Sequence, residues 1–510
     1  MSKKLDLGRW TFAISDDETI RQLAVALQFK FATVEGFLTH SNLIAVLDAD
    51  GNIVHREESL GADIAPHGRR LEKTPPAMKS IHLITFLALT TFAWSQTTAE
   101  KLNPLSFAGG RVVFGIEDQL RFEYRENNYD FNSGIAHIND DAWLLQRFRL
   151  SLQLKPVDWL TIYAQGQDAR EIGSERADLP GVLGAEGDNP FDLRQLYVEL
   201  GDGKTFPLSL KVGRQVLLYG DQRLIGPLDW NNISRTFDAV KLRYHGADGL
   251  WVDAFISSLV NIDRFGMDDS DKDSLLSGLY AHIPTLGIQD TELYALYFDD
   301  TNRNDHFLTL GTHIKSMPGK LGPWDYEAEF AVQSGKAGGR DLSAFASYVE
   351  GGYTFQQPWK PRLGLEYSYG SGDGNAADNK QGAFQNLFPT NHLHYGLMDV
   401  FSWSNIHNVA LHLSAKPNPK LTTSLDFHLF WLDDTGDALR RANATTTVRP
   451  ITPGASSYVG SELDLLVNYA VSAHFNVTLG YSHFFTGDYL AATGASSDAD
   501  FVYVMTGVKF

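Results

Sequence analysis

The 510-residue chain has no cysteine. That excludes disulfide staples, thiolate metal sites and cysteine nucleophiles, and it suits an envelope protein that stays unfolded while crossing an oxidising periplasm. Long apolar runs are scarce too. Although 43% of residues are hydrophobic, no segment after residue 95 approaches the roughly 18 to 20 consecutive apolar residues of a spanning helix, which excludes a helical membrane protein. Positive charge is outnumbered, with 43 Lys and Arg against 62 Asp and Glu for a formal charge of −19. The balance argues against nucleic acid as a partner, though a whole-chain sum does not describe the wall of a pore.

What the chain does contain is 12% aromatic residues and 45 glycines, a composition suited to many short strands joined by tight turns. Its end is the most telling segment. In Phe501 to Phe510 (FVYVMTGVKF), Val502, Val504, Thr506, Val508 and Phe510 share one face and Tyr503, Met505, Gly507 and Lys509 the other, because strand side chains alternate. A terminal amphipathic strand closing on an aromatic is how a bacterial outer-membrane barrel ends, pairing with the first strand so that no sheet edge remains.

From Arg111 onward about ten residues of alternation recur between turns. In Trp143 to Leu154 (WLLQRFRLSLQL), Phe148, Leu150, Leu152 and Leu154 oppose Arg147, Arg149, Ser151 and Gln153. Strands are predicted to begin near Arg111, Trp143, Trp159, Leu193, Pro207, Phe237, Gly249, Leu275, Asp290, His306, Trp324, Ser343, Pro361, Asn405, Leu421, Ser457, His474 and Asp500. Short connections (155–158, 245–248, 357–360, 417–420) are expected to alternate along the entire chain with long ones (127–142, 171–192, 218–236, 370–404, 432–456). The predicted fold is therefore all-β: a transmembrane antiparallel barrel of about 18 strands, with short periplasmic turns and long extracellular loops, in the bacterial outer membrane.

Charge at mid-bilayer facing lipid is costly, so the polar rows are predicted to line the lumen. These rows include Glu117, Gln119, Arg121 and Glu123, then Glu327, Glu329 and Gln333, then Arg362, Glu366 and Ser368, and finally Glu462, Asp464 and Asn468. Trp143, Trp159, Trp251, Trp324, Tyr367 and Tyr481 are expected in the interfacial aromatic girdles. A cationic path is predicted from Arg147, Arg149, Arg170, Arg194, Arg214, Arg223, Arg235, Lys241, Arg243 and Arg362. Arginine's planar fork recognises carboxylates with directed hydrogen bonds. Glu199, Glu329 and Asp464 are the facing carboxylates that would keep binding weak and multiple, as conduction requires. Structural pairing of these same charges, holding the wall rigid, is the alternative use of them.

Upstream of the barrel, Met78 to Ser95 (MKSIHLITFLALTTFAWS) reads as a secretory signal peptide cut ahead of Gln96, so residues 96–510 are expected to form the barrel. Residues 1–77 are an extension with a predicted helix at 17–29 and a hairpin in which Leu43 to Leu47 turns at Asp50-Gly51 into Ile53 to Arg56. Within it His40 to Asp63 (HSNLIAVLDADGNIVHREESLGAD) resembles the C-terminal part of the Sco/SenC thioredoxin-like copper chaperones. The resemblance implies a copper ligand at His40, but the two cysteines that complete that site are missing, and no metal or other cofactor is carried over. The extension is expected to be the tail of an upstream gene read into a second one.

Two stretches break the alternation and call for a reason beyond spanning: 212–241 (VGRQVLLYGDQRLIGPLDWNNISRTFDAVK) and 365–405, with GSGDGN, LFPTNH and YGLMDVFSWSN. Together with LLQRFRLSLQ, FDLRQLYVEL, GSELDLLVNY and YSHFFTGDYL they resemble the alginate export proteins, an 18-stranded outer-membrane family. The resemblance covers about 111–510. It implies passage of an anionic polyuronate through an arginine-rich lumen, served by periplasmic scaffold and synthase components. A porin taking up oligosaccharides or small anions, and a structural or adhesive barrel with a plugged lumen, are the competing readings. Catalysis would need a converging acid and base, for which Asp373 with Asp378 or His392 with His394 are the candidates. They sit in one loop rich in turn formers, and the expectation is that the protein is not an enzyme. GSGDGN has neither a helix behind it to bind phosphate nor the full calcium-loop pattern.

Overall fold

The computed structural model describes residues 105–127, 131–133, 140–174, 187–264, 266–284, 287–375, 377–443 and 447–510, together with the backbone of four short strands within 31–59. In the N-terminal unit Phe31–Val34 pairs with Phe37–His40, and Asn42–Leu47 pairs with Ile53–Ser59, which is the predicted hairpin. The predicted helix at 17–29 and the signal peptide at 78–95 lie outside the described residues.

The second unit is a closed antiparallel barrel of eighteen principal strands. They are β1 (Val112–Glu126), β2 (Asp141–Val157), β3 (Leu160–Ile172), β4 (Asn189–Leu200), β5 (Leu208–Gln215) and β6 (Phe237–His245). The wall continues through β7 (Trp251–Asn261), β8 (Ser274–Ile283), β9 (Gln289–Asp300), β10 (Asp305–Ser316), β11 (Trp324–Ala337) and β12 (Arg340–Thr354). It is completed by β13 (Arg362–Gly370), β14 (Ile406–Asn418), β15 (Leu421–Trp431), β16 (Tyr458–Ala470), β17 (Phe475–Thr486) and β18 (Ala499–Lys509). Every expected strand is present.

The last strand closes on the first, in register from Asp500 opposite Glu126 to Lys509 opposite Glu117. Phe510 extends the ladder by donating its N–H to the Ile116 carbonyl at 2.9 Å, and its ring stacks on His474 at 4.7 Å. Closure leaves no unpaired edge, which is what allows strands to cross a bilayer.

Side chains alternate as predicted. On β2, Arg147 and Arg149 are buried inward while Leu150 is exposed outward; on β18, Phe501 and Tyr503 are inward and Val504 outward. The girdle expectation holds for Trp159, Trp324, Tyr367 and Tyr481, which are exposed, and fails for two tryptophans. Trp143 shares the inward face of Leu145 and Arg147 and is only 3% exposed. Trp251 shares the inward face of Asp253, stacking on Tyr280 at 5.9 Å with the Arg243 guanidinium 4.3 Å above its ring. Strand parity, not nearness to a strand end, decides which way an aromatic points.

Strict alternation of loop lengths also needs correction. Thr301 to Asn304 joins β9 to β10, and Gly338-Gly339 joins β11 to β12, both on the side of the long loops. Gly338 and Gly339, at φ 59° and 75°, supply the left-handed pair that a two-residue hairpin requires.

The wall makes a direct expectation for its lipid face. Leu310, midway along β10, is 46% exposed; replacing it with Arg is expected to cost about 2–4 kcal/mol of barrel stability, read by denaturant titration in phospholipid vesicles. Leu310→Met is expected to stay within about 1.5 kcal/mol of the unmodified protein.

Candidate functional site

A wide barrel has more bore than its inward side chains fill, and here two connections fold into it. The first, residues 216–236, follows β5. Leu217, Leu224 and Ile225 are buried, and Tyr219 stacks on Tyr280 at 4.5 Å and on Phe255 at 5.4 Å while its hydroxyl donates to Asp253 at 2.9 Å. The second, residues 371–405, follows β13 and roots itself through Phe401 stacked on Phe430 at 3.9 Å. The Gln333 side-chain amide holds the Gln385 main chain, donating to its carbonyl and accepting its N–H at 2.8 Å each.

Buried main-chain groups need partners, and each loop supplies the other's. Ile225 and Phe388 form a parallel bridge. Gly226 N–H donates to the Phe388 carbonyl at 2.9 Å, Phe388 N–H to Leu224 at 2.8 Å, and Thr390 N–H to Gln222 at 2.9 Å. Arg235 clips both loops, donating to the carbonyls of Gly226 and Pro389 at 3.0 Å each. Trp230 lies flat on His392 at 3.7 Å, and the Arg121 guanidinium lies 3.7 Å from the same indole centroid. The two stretches that broke the sequence pattern are therefore the segments that narrow the bore.

Where they meet the wall of β1 to β4, three predicted arginines converge on one residue. Arg149 Nη2 donates to Asp229 Oδ1 at 2.9 Å and Arg194 Nη2 at 3.2 Å, while Arg147 Nη1 donates to the Asp229 carbonyl at 2.8 Å. Arg194 arrives there because the β3–β4 pairing shifts register between Gln165 and Gly166, a bulge that re-aims a side chain. The Asp229 side chain is half open to water; what desolvation it suffers works against the carboxylate, but Arg149, Arg194 and Arg147 outweigh it and hold its pKa down to about 2. The loop backbone is left-handed at Gln222, Leu228 and Ser234, with φ of 65°, 50° and 69°. Such non-glycine positions cost on the order of 1–3 kcal/mol each and persist because contacts hold them.

The other predicted residues form a second set of pairs. Lys241 lies 3.4 Å from Asp253, and Arg243 grips that buried carboxylate through two bonds of 2.6 and 2.8 Å. Glu199 pairs with Lys211 at 3.2 Å, and Arg362 pairs with Asp325 and, at 2.7 Å, with Glu350. Arg223, on the first loop, faces Glu329 at 3.9 Å over the Tyr348 ring; Glu329 also accepts from Tyr294 at 2.8 Å. Asp464 accepts the Leu397 N–H at 3.4 Å. A cavity of about 360 Å³ between the second loop and the wall is lined by Arg223, Glu327, Arg362, Glu366, His412 and Asp464, among others.

Two predicted lumen residues are not in the lumen. Arg170 and Arg214 fall on the outward parity, beside Asp168 (2.7 Å) and Asp238 (2.9 Å) respectively. Each sits within two residues of the long-loop end of its strand, where the outer face leaves the hydrocarbon and charge is tolerated. The outward face of β1 and β2 also carries polar contacts, Gln146 Nε2 donating to Asp118 at 3.0 Å and the Tyr124 hydroxyl to Glu126 at 3.4 Å. Asp229 and His313 were missed as site residues, whereas Arg121 was expected in the lumen row and is buried there. His313 bridges Glu292 at 3.0 Å and Glu327 at 2.8 Å. Asp229 and Trp230 carried one legible signal, an acid and an aromatic following Pro227 in a long loop.

Among the described residues Glu350, Glu366 and His412 are close enough to share an ion, but each already has a protein partner. Arg362 holds Glu350, and the His412 ring nitrogens lie 2.7 Å from Asp426 and 3.2 Å from Glu366. The candidate acid and base residues also act as anchors. Asp373 pairs with Arg340 at 2.7 Å, Asp378 accepts the Lys380 N–H at 2.8 Å, His392 pairs with Asp399 at 3.0 Å, and His394 Nε2 lies 2.8 Å from the Asp221 carbonyl.

The alginate export family profile matches residues 111–504, and the chain belongs to that family. No match supports the Sco/SenC resemblance of residues 40–63, and no curated protein matches the chain. Among solved structures the barrel is similar to Pseudomonas aeruginosa OpdQ (14% identity, 78% of this chain and 98% of that one, TM-score 0.52) and OccK3 (OpdO) (13%, 78% and 95%, 0.51). It is also similar to Acinetobacter baumannii OccAB4 (15%, 78% and 98%, 0.50). At these identities the likeness concerns the outer-membrane barrel fold.

His394 makes the second loop sensitive to pH. Burial, then the neighbouring Arg223, pushes its pKa below the ordinary value. Its neutral-state packing is therefore fully present above about pH 6.5 and is lost as pH falls below that value, because the unpacked loop binds the proton better. Hydrogen-exchange protection of the amides of Leu393 to Tyr395 is expected to hold between pH 7 and 8 and to fall at pH 5. His394→Gln, which keeps a donor for the Asp221 carbonyl, is expected to flatten that dependence.

Proposed function

Starting from membership of the alginate export family, we propose that this barrel carries an anionic polysaccharide, alginate or a related polyuronate, outward across the outer membrane. The observation that carries the reading is the convergence of Arg147, Arg149 and Arg194 on one residue in the narrowed bore, Arg149 and Arg194 on the Asp229 carboxylate and Arg147 on its main-chain carbonyl. A polyuronate offers about one carboxylate per sugar, the group a guanidinium fork binds best. Glu117, 3.3 Å from Arg149, tempers the attraction, as release at each step requires. Lys241 and Arg243, with Asp253 between them, repeat the motif further round the wall. A periplasmic scaffold of a secretion complex is the partner this reading implies, and outer-membrane lipid is the medium of the outward face.

The reading is tested in planar bilayers. The channel is expected to prefer anions despite the chain's negative total, and uronate oligomers are expected to block its current. The block should weaken with salt as the Debye length falls from about 10 Å at 0.1 M to about 3 Å at 1 M. Arg149→Glu should reduce or reverse the preference, whereas Arg214→Gln, on the outward face, should leave it unchanged. Cation preference without uronate block would overturn the reading.

A further inference from the structure

The triad of Arg147, Arg149 and Arg194 is more than the first loop needs. Asp229 uses a single oxygen, Oδ1, for Arg149, Arg194 and the Ser234 hydroxyl (2.9 Å). Arg147 and Arg194 each retain a buried Nε–H without a hydrogen-bond partner among the described residues. The only other acid paired with the triad among the described residues is Glu117, 3.3 Å from Arg149 and 3.8 Å from Arg147. Three guanidiniums thus face two carboxylates, leaving one positive charge and surplus donors. The guanidiniums are nearly buried while the Asp229 side chain is 51% exposed. A rigid cationic socket is therefore held by the wall, and the group occupying it can be reached by water.

That occupant sits between two strained residues of the first loop. Leu228 and Ser234, both left-handed, flank Asp229, and Arg147 takes the carbonyls of Asp229 and Asn231 at 2.8 and 3.2 Å. A carboxylate together with neighbouring neutral oxygens is also what one uronate residue presents. We propose that Arg147, Arg149 and Arg194 form a carboxylate-binding site of the bore, and that Asp229 is a tethered stand-in which a carboxylate of the permeating polyanion displaces. The segment 228–234 is then both a filter and a latch: cargo without a carboxylate leaves it seated, and cargo with one exchanges for it. The identity of the cargo rests on the export reading above; the existence of the site does not.

The test uses the full chain in planar bilayers, with uronate tetramers, neutral oligosaccharides of equal length, and free glucuronate as probes. Asp229→Asn removes the competing charge and is expected to tighten uronate block about tenfold without affecting the neutral sugar. Asp238→Asn makes the same change of charge on the outward face and should leave block at the unmodified value. Uronate block that is present but equal in the unmodified and Asp229→Asn channels overturns the stand-in and leaves the export reading intact. Glucuronate block that tightens in Asp229→Asn while neither channel responds to tetramers upholds the site and removes the polysaccharide. No block by any probe in either channel overturns the site.

Should Asp229→Asn fail to assemble, the absence of native cysteine allows a second measurement with Asp229 in place. Ser234→Cys is expected to react faster with a water-soluble thiol reagent when uronate tetramer is present, because displacement of Asp229 frees the segment. An unchanged or slower rate overturns the proposal.

Discussion

Every main-chain N–H and C=O at membrane depth must find a partner, and the rest of this molecule follows from how that demand is met. The wall meets it by closure, β18 on β1. The two segments inside the bore have no ladder of their own, and irregular backbone is tolerated there only when protein surrounds it. They meet the demand by bridging at Ile225 and Phe388, and several of the carbonyls left over go to arginine. Arg121 takes Trp230, Arg147 takes Asp229 and Asn231, and Arg235 takes Gly226 and Pro389. A guanidinium has five donors and no acceptor, so it is the side chain best suited to carbonyl-rich irregular chain. Several of the arginines that face the bore are thus a consequence of putting loops inside a barrel.

The wall was legible in the sequence because one physical variable, the face on which a residue lies, repeats every two positions and is enforced by lipid on one side. All eighteen strand positions follow from it, including those at Leu275 and Asp290, where the pattern is faintest. What parity does not carry is context at the rim. Arg170 and Arg214 read as lumen residues because charge was assigned inward wherever it occurred, but the outer face also carries charge once a strand rises out of the hydrocarbon. Trp143 erred in the opposite direction: an aromatic near a strand end reads as a girdle residue, although its parity with Arg147 points it inward. The site was legible in composition and not in assembly. The arginines were named, while the residue that gathers them, Asp229, lies in an aperiodic loop whose position depends on contacts with strands far away in the chain.

Total charge and local charge describe different things here. The chain sums to −19, yet three groups on the inward wall balance as a set: Lys241 and Arg243 with Asp253, Lys211 with Glu199, and Arg362 with Asp325 and Glu350, four cations against four acids. Charges balanced in this way present little net field to a passing ion. The socket formed by Arg147, Arg149 and Arg194 departs from that balance, and so does Arg223, whose nearest carboxylate, Glu329, stands at 3.9 Å. Both lie where the inward loops touch the wall.

The first loop is built so that its two halves respond differently to a competing anion. Its root is apolar: Leu217, Leu224 and Ile225 are buried, and Tyr219 is held in a stack with Phe255 and Tyr280. No solute in water offers a better partner for those surfaces, since apolar burial is lost only by exposing area. Its tip, from Leu228 to Ser234, packs through Trp230 and the buried Ile233, but the Asp229 side chain within it is held by hydrogen bonds and ion pairs alone, which exchange one oxygen for another with little net change. An anion arriving at the socket therefore competes with that side chain on nearly equal terms and with the root on none. The strained residues at both ends of the tip lower the cost of releasing it further, since letting go relieves conformations that only the contacts sustain. The division between a root fixed by area and a carboxylate fixed by exchangeable charge lets the bore be filled at rest without being sealed.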